Sequence, residues 1–334
     1  MQKLSDFYQD IFGCKTYKIS IDAGCTCPNR DGTKGKGGCI FCSENGSGDF
    51  AAARSLSVKE QLEQGRKLIE SKLRGRSGER RGKYIAYFQN FTSTYGDAAV
   101  LLGKYRAALA CEDVAGLAVA TRPDCLGADI LAGLAEIAEN HFVQIELGLQ
   151  TSNEETGRLI NRCYTNHDYL EAVARIHEAA PQIHIVTHLI FGFPGETEED
   201  MLNSVRFVVD KNTLHPASTR HPAGTRHPEL VSGSINSDPD LRRDDDWGIK
   251  ITSLYILKNT PLAKLYESGT YQPLTKDQYF HLLKQALPLL PENCVVHRLT
   301  GDPPKSLLIA PTWTTDKKRV LNDLLTLLNS HNRI

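Results

Sequence analysis

Four of the nine cysteines of this chain stand at positions 25, 27, 39 and 42, inside the stretch IDAGCTCPNRDGTKGKGGCIFC at residues 21–42. Thiolates gathered this closely bind a metal ion or an iron–sulfur cluster. Cys39-x2-Cys42 folds two sulfurs onto one metal centre, and Cys27 arrives from a glycine-rich loop. Two chemistries fit. Three cysteines around a four-iron cluster leave one iron without a protein ligand, open to chelation by a small molecule. A structural zinc site takes four tetrahedral ligands, with Cys25 as the fourth, and would make the chain a zinc-binding structural or interaction module. Zinc knuckles usually come as two C-x2-C pairs, and this stretch holds one. Cys14, Cys111 and Cys294 read as small buried or semi-buried residues. Cys125 and Cys163 follow motif strands, where either could face a cavity.

The elements that must position these thiols alternate. Candidate strands are Tyr17–Asp22, Tyr84–Gln89, Gly116–Thr121, Phe142–Leu149, His184–Gly192 and Lys250–Leu257. Most are rich in Ile, Val, Leu and Tyr without strict alternation, the pattern of buried parallel strands. Helical patterns lie between them at Val58–Leu73, Ala98–Ala110, Ala128–Ala138, Asp168–Ala179 and Glu198–Val209. Thr197 followed by Glu198, Glu199 and Asp200 puts carboxylates in a first turn, where the helix dipole favours them. Strand–helix alternation predicts an α/β fold, a (βα)6 partial barrel with right-handed crossovers and a short C-terminal extension. The boundaries read as a core over 4–260 and an extension over 261–334. The cysteine loop follows the first strand directly, so it lies at the end of an α/β barrel that carries chemistry.

Composition narrows the function. The 334 residues carry 39 Lys+Arg against 40 Asp+Glu, a net charge of −1 that argues against a broad nucleic-acid-coating surface. The chain contains no apolar run of 18 or more residues, and its first residues, MQKLSDFYQDIFG, lack an apolar signal core. With an odd cysteine count, these features predict a cytoplasmic protein without a disulfide framework or membrane partner. Residues 215–246 break the pattern with the repeated hexads HPASTR and HPAGTR, and read as an inserted disordered loop. Residues 72–83, KLRGRSGERRGK, carry six Lys or Arg and one Glu, a solvated loop or a contact for a phosphate-bearing substrate.

The cysteine stretch resembles the cluster loop of radical S-adenosylmethionine (SAM) enzymes, with C-x11-C-x2-C in place of the common C-x3-C-x2-C and Phe41 in the aromatic place before the last cysteine. The long gap resembles the branch containing the Elongator catalytic subunit. The strings YFQNFTSTYG, ATRPDCL, ELGLQT and THLIFGFPGET extend the likeness to the YhcC/YtqA-like radical SAM proteins, from about residue 4 to the C-terminal region. The resemblance implies a [4Fe-4S] cluster on Cys27, Cys39 and Cys42, and S-adenosylmethionine chelating its open iron. It places Phe41 near the adenine, and Gln89 and Asn90 where related enzymes carry a glycine motif for the methionyl group. Gln150 and Arg162 match residues that contact ribose and carboxylate in oxygen-independent coproporphyrinogen oxidases. Gly192 and Gly195 of GFPGET border the adenine, and LKNTPL at 257–262 closes the sixth strand. His188 stands where related enzymes can carry an acidic residue. The implied activity is reductive cleavage of S-adenosylmethionine and hydrogen-atom abstraction from an unidentified substrate, with an electron donor such as flavodoxin or ferredoxin. Methylthiotransferases and Elongator act on tRNA, so the substrate is tRNA or a small metabolite. The stretch HRLTGDPPKSLLIAPTW at 297–313 reads as a cover over the barrel mouth or as a packing strap.

Overall fold

The structure, a computed structural model, describes residues 1–46, 48, 51–73, 82–213 and 246–331. The repeat insertion lies outside the described residues except for Asp246, as does 74–81 of the basic stretch. In chain order the elements are β1 (Gln2–Lys3), α1 (Leu4–Phe12), β2 (Lys15–Ile21), α2 (Val58–Leu73), β3 (Gly82–Phe88), α3 (Ala98–Leu109), β4 (Val114–Thr121), α4 (Ala128–Ala138) and β5 (Phe142–Gln150). There follow α5 (Glu154–Leu159), α6 (Asn166–Ala179), β6 (His184–Phe191), α7 (Glu198–Thr213), β7 (Trp247–Ser253), β8 (Ile256–Leu257), α8 (Pro261–Glu267), α9 (Lys276–Ala286), β9 (Cys294–Arg298), β10 (Leu308–Ala310) and α10 (Lys317–His331).

One curled sheet of eight strands, in the order β1-β9-β7-β6-β5-β4-β3-β2, forms the partial barrel. All its pairings are parallel. The six expected strands are its β2 to β7. Two more join them: β9 pairs with β7, and β1 pairs with β9 through Gln2↔Val295. The expected sixth strand, Lys250–Leu257, lies earlier in the chain, as β7 from Trp247 to Ser253. Leu254 and Tyr255 break it, and β8 leaves the sheet to pair antiparallel with β10.

The strands do alternate, contrary to expectation, because this sheet has two different faces. On β5, Val143, Ile145, Leu147 and Leu149 pack outward into the core beneath the helices. Phe142 instead joins an inner cluster, and Glu146, Gly148 and Gln150 line the barrel's interior cavity. The period-two pleat enforces this division. At the other end of the barrel, α1 brings Phe7, Tyr8 and Phe12 against Phe142, Ile85, Tyr87 and Val295. Its Leu4, Phe7, Tyr8, Ile11 and Phe12 follow helical spacing. Gly13 at φ 67 ends the helix in the left-handed region. Each buried aromatic or aliphatic side chain contributes about 1.5–3 kcal/mol on transfer from water.

Helix starts carry reciprocal caps. Thr165 and Thr275 form complete capping boxes with Asp168 and Gln278. Thr197 accepts from the Asp200 N–H at 3.2 Å, and the Asp200 carboxylate accepts from the Thr197 N–H at 2.9 Å. Such caps stabilise by about 0.5–2 kcal/mol each.

Candidate active site

A cavity opens inside the barrel, with the loop after β2 forming one wall. Cys27, Cys39, Phe41 and Cys42 line that wall. The loop is held by turns of its own: the Arg30 and Asp31 N–H groups both donate to the Cys27 carbonyl, and the Cys42 N–H donates to the Cys39 carbonyl. Asn29 fastens it to the next layer by donating to the Asn161 carbonyl, and its Nδ2 stands 3.7 Å from Cys39 Sγ. The nearness of the two thiols raises Cys39 and lowers Cys42, and Arg30 and Arg122 add to the lowering of Cys42. Cys25 is buried away from the cavity, and burial pushes its thiol up to about 11. Cys125 and Cys163 do not line the cavity either. Cys163 lies exposed beside Asn29.

Two cations, Arg30 and Arg122, line the cavity beside the thiols, and Arg122 faces Cys27. Its Nη1 lies 3.9 Å from Cys27 Sγ and donates to the Arg162 carbonyl at 3.1 Å. Asp124 grips the other side of its fork at 2.9 and 2.8 Å, and Lys34 closes on Asp124 at 2.7 Å. Arg122 falls within ATRPDCL, a string whose likeness alone does not assign the residue a role.

Arg162 does not take the place expected for it. It is 0% exposed and absent from the cavity lining. Its donors serve the carbonyls of Tyr164, Leu149 and Thr151, the Glu154 carboxylate at 3.1 Å and Asn166. A guanidinium so occupied fastens the end of β5 to α5 and has no donor left for a ligand carboxylate.

Gln89 and Gln150 both line the cavity. The Gln89 Oε1 accepts from Ser20 at 3.2 Å. The Gln150 Oε1 is buried with no hydrogen-bond partner among the described residues, and so is the Oδ1 of Asn90, whose amide donates to Asp22 at 2.8 Å. A buried acceptor left unpaired costs about 1–3 kcal/mol. Gly192 and Gly195 stand behind the lining rather than in it. Both have positive φ, at 99° and 83°, and a Cβ at Gly192 would come 2.9 Å from Leu274. Their turn sets Phe193 against Phe41, ring centroids 5.4 Å apart.

The cavity floor contains a charged group that the motif reading passed over. Glu146 of β5 is bound by Lys18 of β2 at 2.6 Å, Lys250 of β7 at 2.8 Å and the Tyr87 hydroxyl of β3 at 2.5 Å. Gln144 donates to it at 2.7 Å, and Tyr8 of α1 donates to Gln144 at 3.2 Å. Burial works against the Glu146 charge, but Lys18 and Lys250 outweigh it and hold the carboxyl well below its ordinary range. Burial lowers Lys18 to about 8 and lowers Lys250 also. Beside them His188 shares a hydrogen bond with Thr252 at 2.9 Å, and burial with the nearby Lys250 charge lowers it to about 3, so it is neutral. The alternation in FVQIELGLQ was the signal available for Glu146.

The donor set fits an open cluster. Three thiols share one wall beside a guanidinium, the fourth thiol of the loop is shut away, and an unpaired amide oxygen waits across the cavity. Among the described residues no three His, Cys, Asp or Glu side chains gather as ligands of a single metal ion.

A parallel partial barrel whose strand ends face a cysteine-bearing loop is the frame of a cluster-dependent enzyme. The chain belongs to the radical SAM superfamily, whose family model matches residues 27–208; the model of the Radical_SAM C-terminal domain matches residues 247–329. Its cofactors are those of that family, a [4Fe-4S] cluster and S-adenosylmethionine. It is 38% identical over 310 residues to the uncharacterized protein YtqA of Bacillus subtilis (strain 168), covering 93% of this chain and 84% of that one. Protein YhcC of Escherichia coli (strain K12) is 30% identical over 323 residues, 96% of this chain and 89% of its own. Among solved structures, the archaeal Methanocaldococcus infernus Elp3 with an N-terminal deletion shares the fold, with a TM-score of 0.58 at 13% identity. That match covers 93% of this chain and 63% of the archaeal one. No helix among the described residues is long and apolar enough to cross a membrane.

Proposed function

We propose that this enzyme holds its cluster through Cys27, Cys39 and Cys42, cleaves S-adenosylmethionine reductively and abstracts a hydrogen atom from a substrate lodged in the barrel. The observation that carries the reading is the segregation of the four loop thiols, three on the cavity wall and Cys25 buried behind it. Held there, the cluster and S-adenosylmethionine would supply one-electron reductive chemistry, with the electron from a donor such as flavodoxin or ferredoxin.

The chain's own residues bind, orient and exclude water. Arg122 compensates thiolate charge at Cys27 without competing as a ligand. Phe41, backed by Phe193, offers an apolar face for an adenine. Gln150 offers its unpaired acceptor to a hydroxyl or ammonium group. The helices outside the sheet and α1 beneath it keep bulk water from the reacting carbon, where a free radical would otherwise be lost to side reactions.

The test is anaerobic reconstitution. The reading requires a brown protein containing iron and sulfide that forms 5′-deoxyadenosine from S-adenosylmethionine under dithionite. A colourless protein containing zinc and no sulfide would establish the binding-module alternative on Cys25, Cys27, Cys39 and Cys42. Comparing modified nucleosides and small metabolites between a deletion strain and its parent then identifies the substrate, tRNA or metabolite.

A further inference from the structure

The cavity has two chemically different ends. The cysteine wall accounts for one. The other, the Lys18–Glu146–Lys250 group with Tyr87, His188 and Thr252, does nothing in the reading above. Its charge does not balance: two ammonium groups meet one carboxylate. Arg298 of β9 adds a further positive charge close enough to depress both lysines, and the carboxylate nearest it, Asp302 at 3.5 Å, is held by Lys317 at 2.6 Å. His188 contributes none, being neutral.

A buried ion pair is at best weakly stabilising, and an unmatched buried cation is costly. A fold that only needed filling at this point would use apolar side chains, as the other inward positions Ile85 and Phe142 do. The surplus charge also faces the right way. Lys250, Tyr87, His188 and Thr252 all line the cavity. Among the described residues, Glu146 and Tyr87 take two of the three donors on Lys250 Nζ. Lys18 supports from behind, on the edge strand β2, and keeps Glu146 from neutralising Lys250 alone.

We propose that this floor is the anchoring subsite for a carboxylate on the substrate, with Lys250 its direct partner and Tyr87 and Thr252 as neighbouring hydroxyl contacts. The proposal rests on the radical SAM reading for what happens at the other end of the cavity. A carboxylate fits better than a phosphate because, among the described residues, Lys250 is the floor's one cavity-lining ammonium and keeps a single open donor, whereas a phosphate monoester brings about −1.5 to −2 at neutral pH. Anchoring the substrate by a group remote from the reacting carbon fixes which hydrogen is presented, at no cost to the reacting centre.

The test is a titration of propionate into the anaerobically reconstituted enzyme, at constant ionic strength, with phosphate and chloride as comparison ions, followed by calorimetry and melting temperature. Wild type should bind propionate in preference to both. Losing a charged donor should weaken propionate binding at least about tenfold in Lys250→Met, and Lys250→Arg should stay within about threefold of wild type. Glu146→Gln, which raises the surplus charge, should bind propionate more tightly; that arm decides if Lys250→Met fails to fold. The proposal is overturned if wild type shows no propionate binding, if phosphate binds as tightly, if folded Lys250→Met binds like wild type, or if Glu146→Gln brings no gain. Iron and sulfide content, read on the same samples, decides the radical SAM reading separately, because the titration reads the floor with or without a cluster.

Discussion

The wall and the floor of the cavity are built by opposite strategies. The wall comes from one continuous loop, and its three thiols lie within residues 27–42. The floor is assembled across the sheet, from Lys18, Tyr87, Glu146 and Lys250 on four different strands. A loop can be exchanged or lengthened without disturbing the barrel, whereas the floor exists only when the strands are in register. The wall can therefore be altered locally, and the floor only together with the sheet that carries it.

The largest effect expected from breaking the wall is on metal content. Cys27→Ala, Cys39→Ala and Cys42→Ala should each lose nearly all bound iron and sulfide on reconstitution, and Cys25→Ala should keep both. Equal loss in all four would erase the distinction between the wall and the thiol behind it. On the floor the expected effect is on stability. Glu146→Leu leaves two buried lysines without their carboxylate and should cost about 3–5 kcal/mol in urea denaturation. Adding Lys18→Met and Lys250→Met should recover most of that loss. A triple variant no better than the single one would mean that the three charges do not act as a unit.

This contrast governs what could be read from the sequence. The six βα units and the cysteine loop were legible because each is a local pattern. Ala128–Ala138, for instance, is apolar on one face and forms the helix its spacing predicts. Strands β1 and β9 were not, since Gln2–Lys3 is too short to show a period and pairs with Val295 and Val296. Helix α1 is legible in principle from the helical spacing of Leu4, Phe7, Tyr8, Ile11 and Phe12. Arg162 shows the limit of transferred motifs. Its five donors turn inward to backbone carbonyls and side chains that no motif reports. Arg162→Met should accordingly lower stability by about 2–4 kcal/mol, as expected for unpaired buried carbonyls and a lost ion pair. If stability is unchanged and only the affinity for S-adenosylmethionine falls, the motif assignment was the better one.

The smallest effect separates the two ends by pH. Burial raises Glu196, in the turn that supports Phe193, to about 7 from 4.5. Its contribution to stability is complete below pH 4.5 and disappears as pH rises through about 7. Burial lowers His188 on the floor to about 3 from 6.5, so its contribution is present above pH 6.5 and is lost as pH falls toward 3. Between pH 5 and 6.5 the two slopes oppose each other. Melting temperatures over that range should fall more steeply on acidification in Glu196→Gln than in wild type, and less steeply in His188→Gln. Parallel curves for all three proteins would remove both groups from the account.

The pairing of Gln2 with Val295 has a consequence for synthesis. Strands β2 to β7 can form neighbouring pairs as they emerge from the ribosome, but β1 has no partner in the sheet until β9 has been made. Until then Phe7, Tyr8 and Phe12 have only part of their final packing, and the lower end of the barrel lacks Val295. A translating chain thus holds its first helix in reserve for almost its entire length, and the arrival of β9 closes the molecule in a late, long-range step of the kind that slows folding.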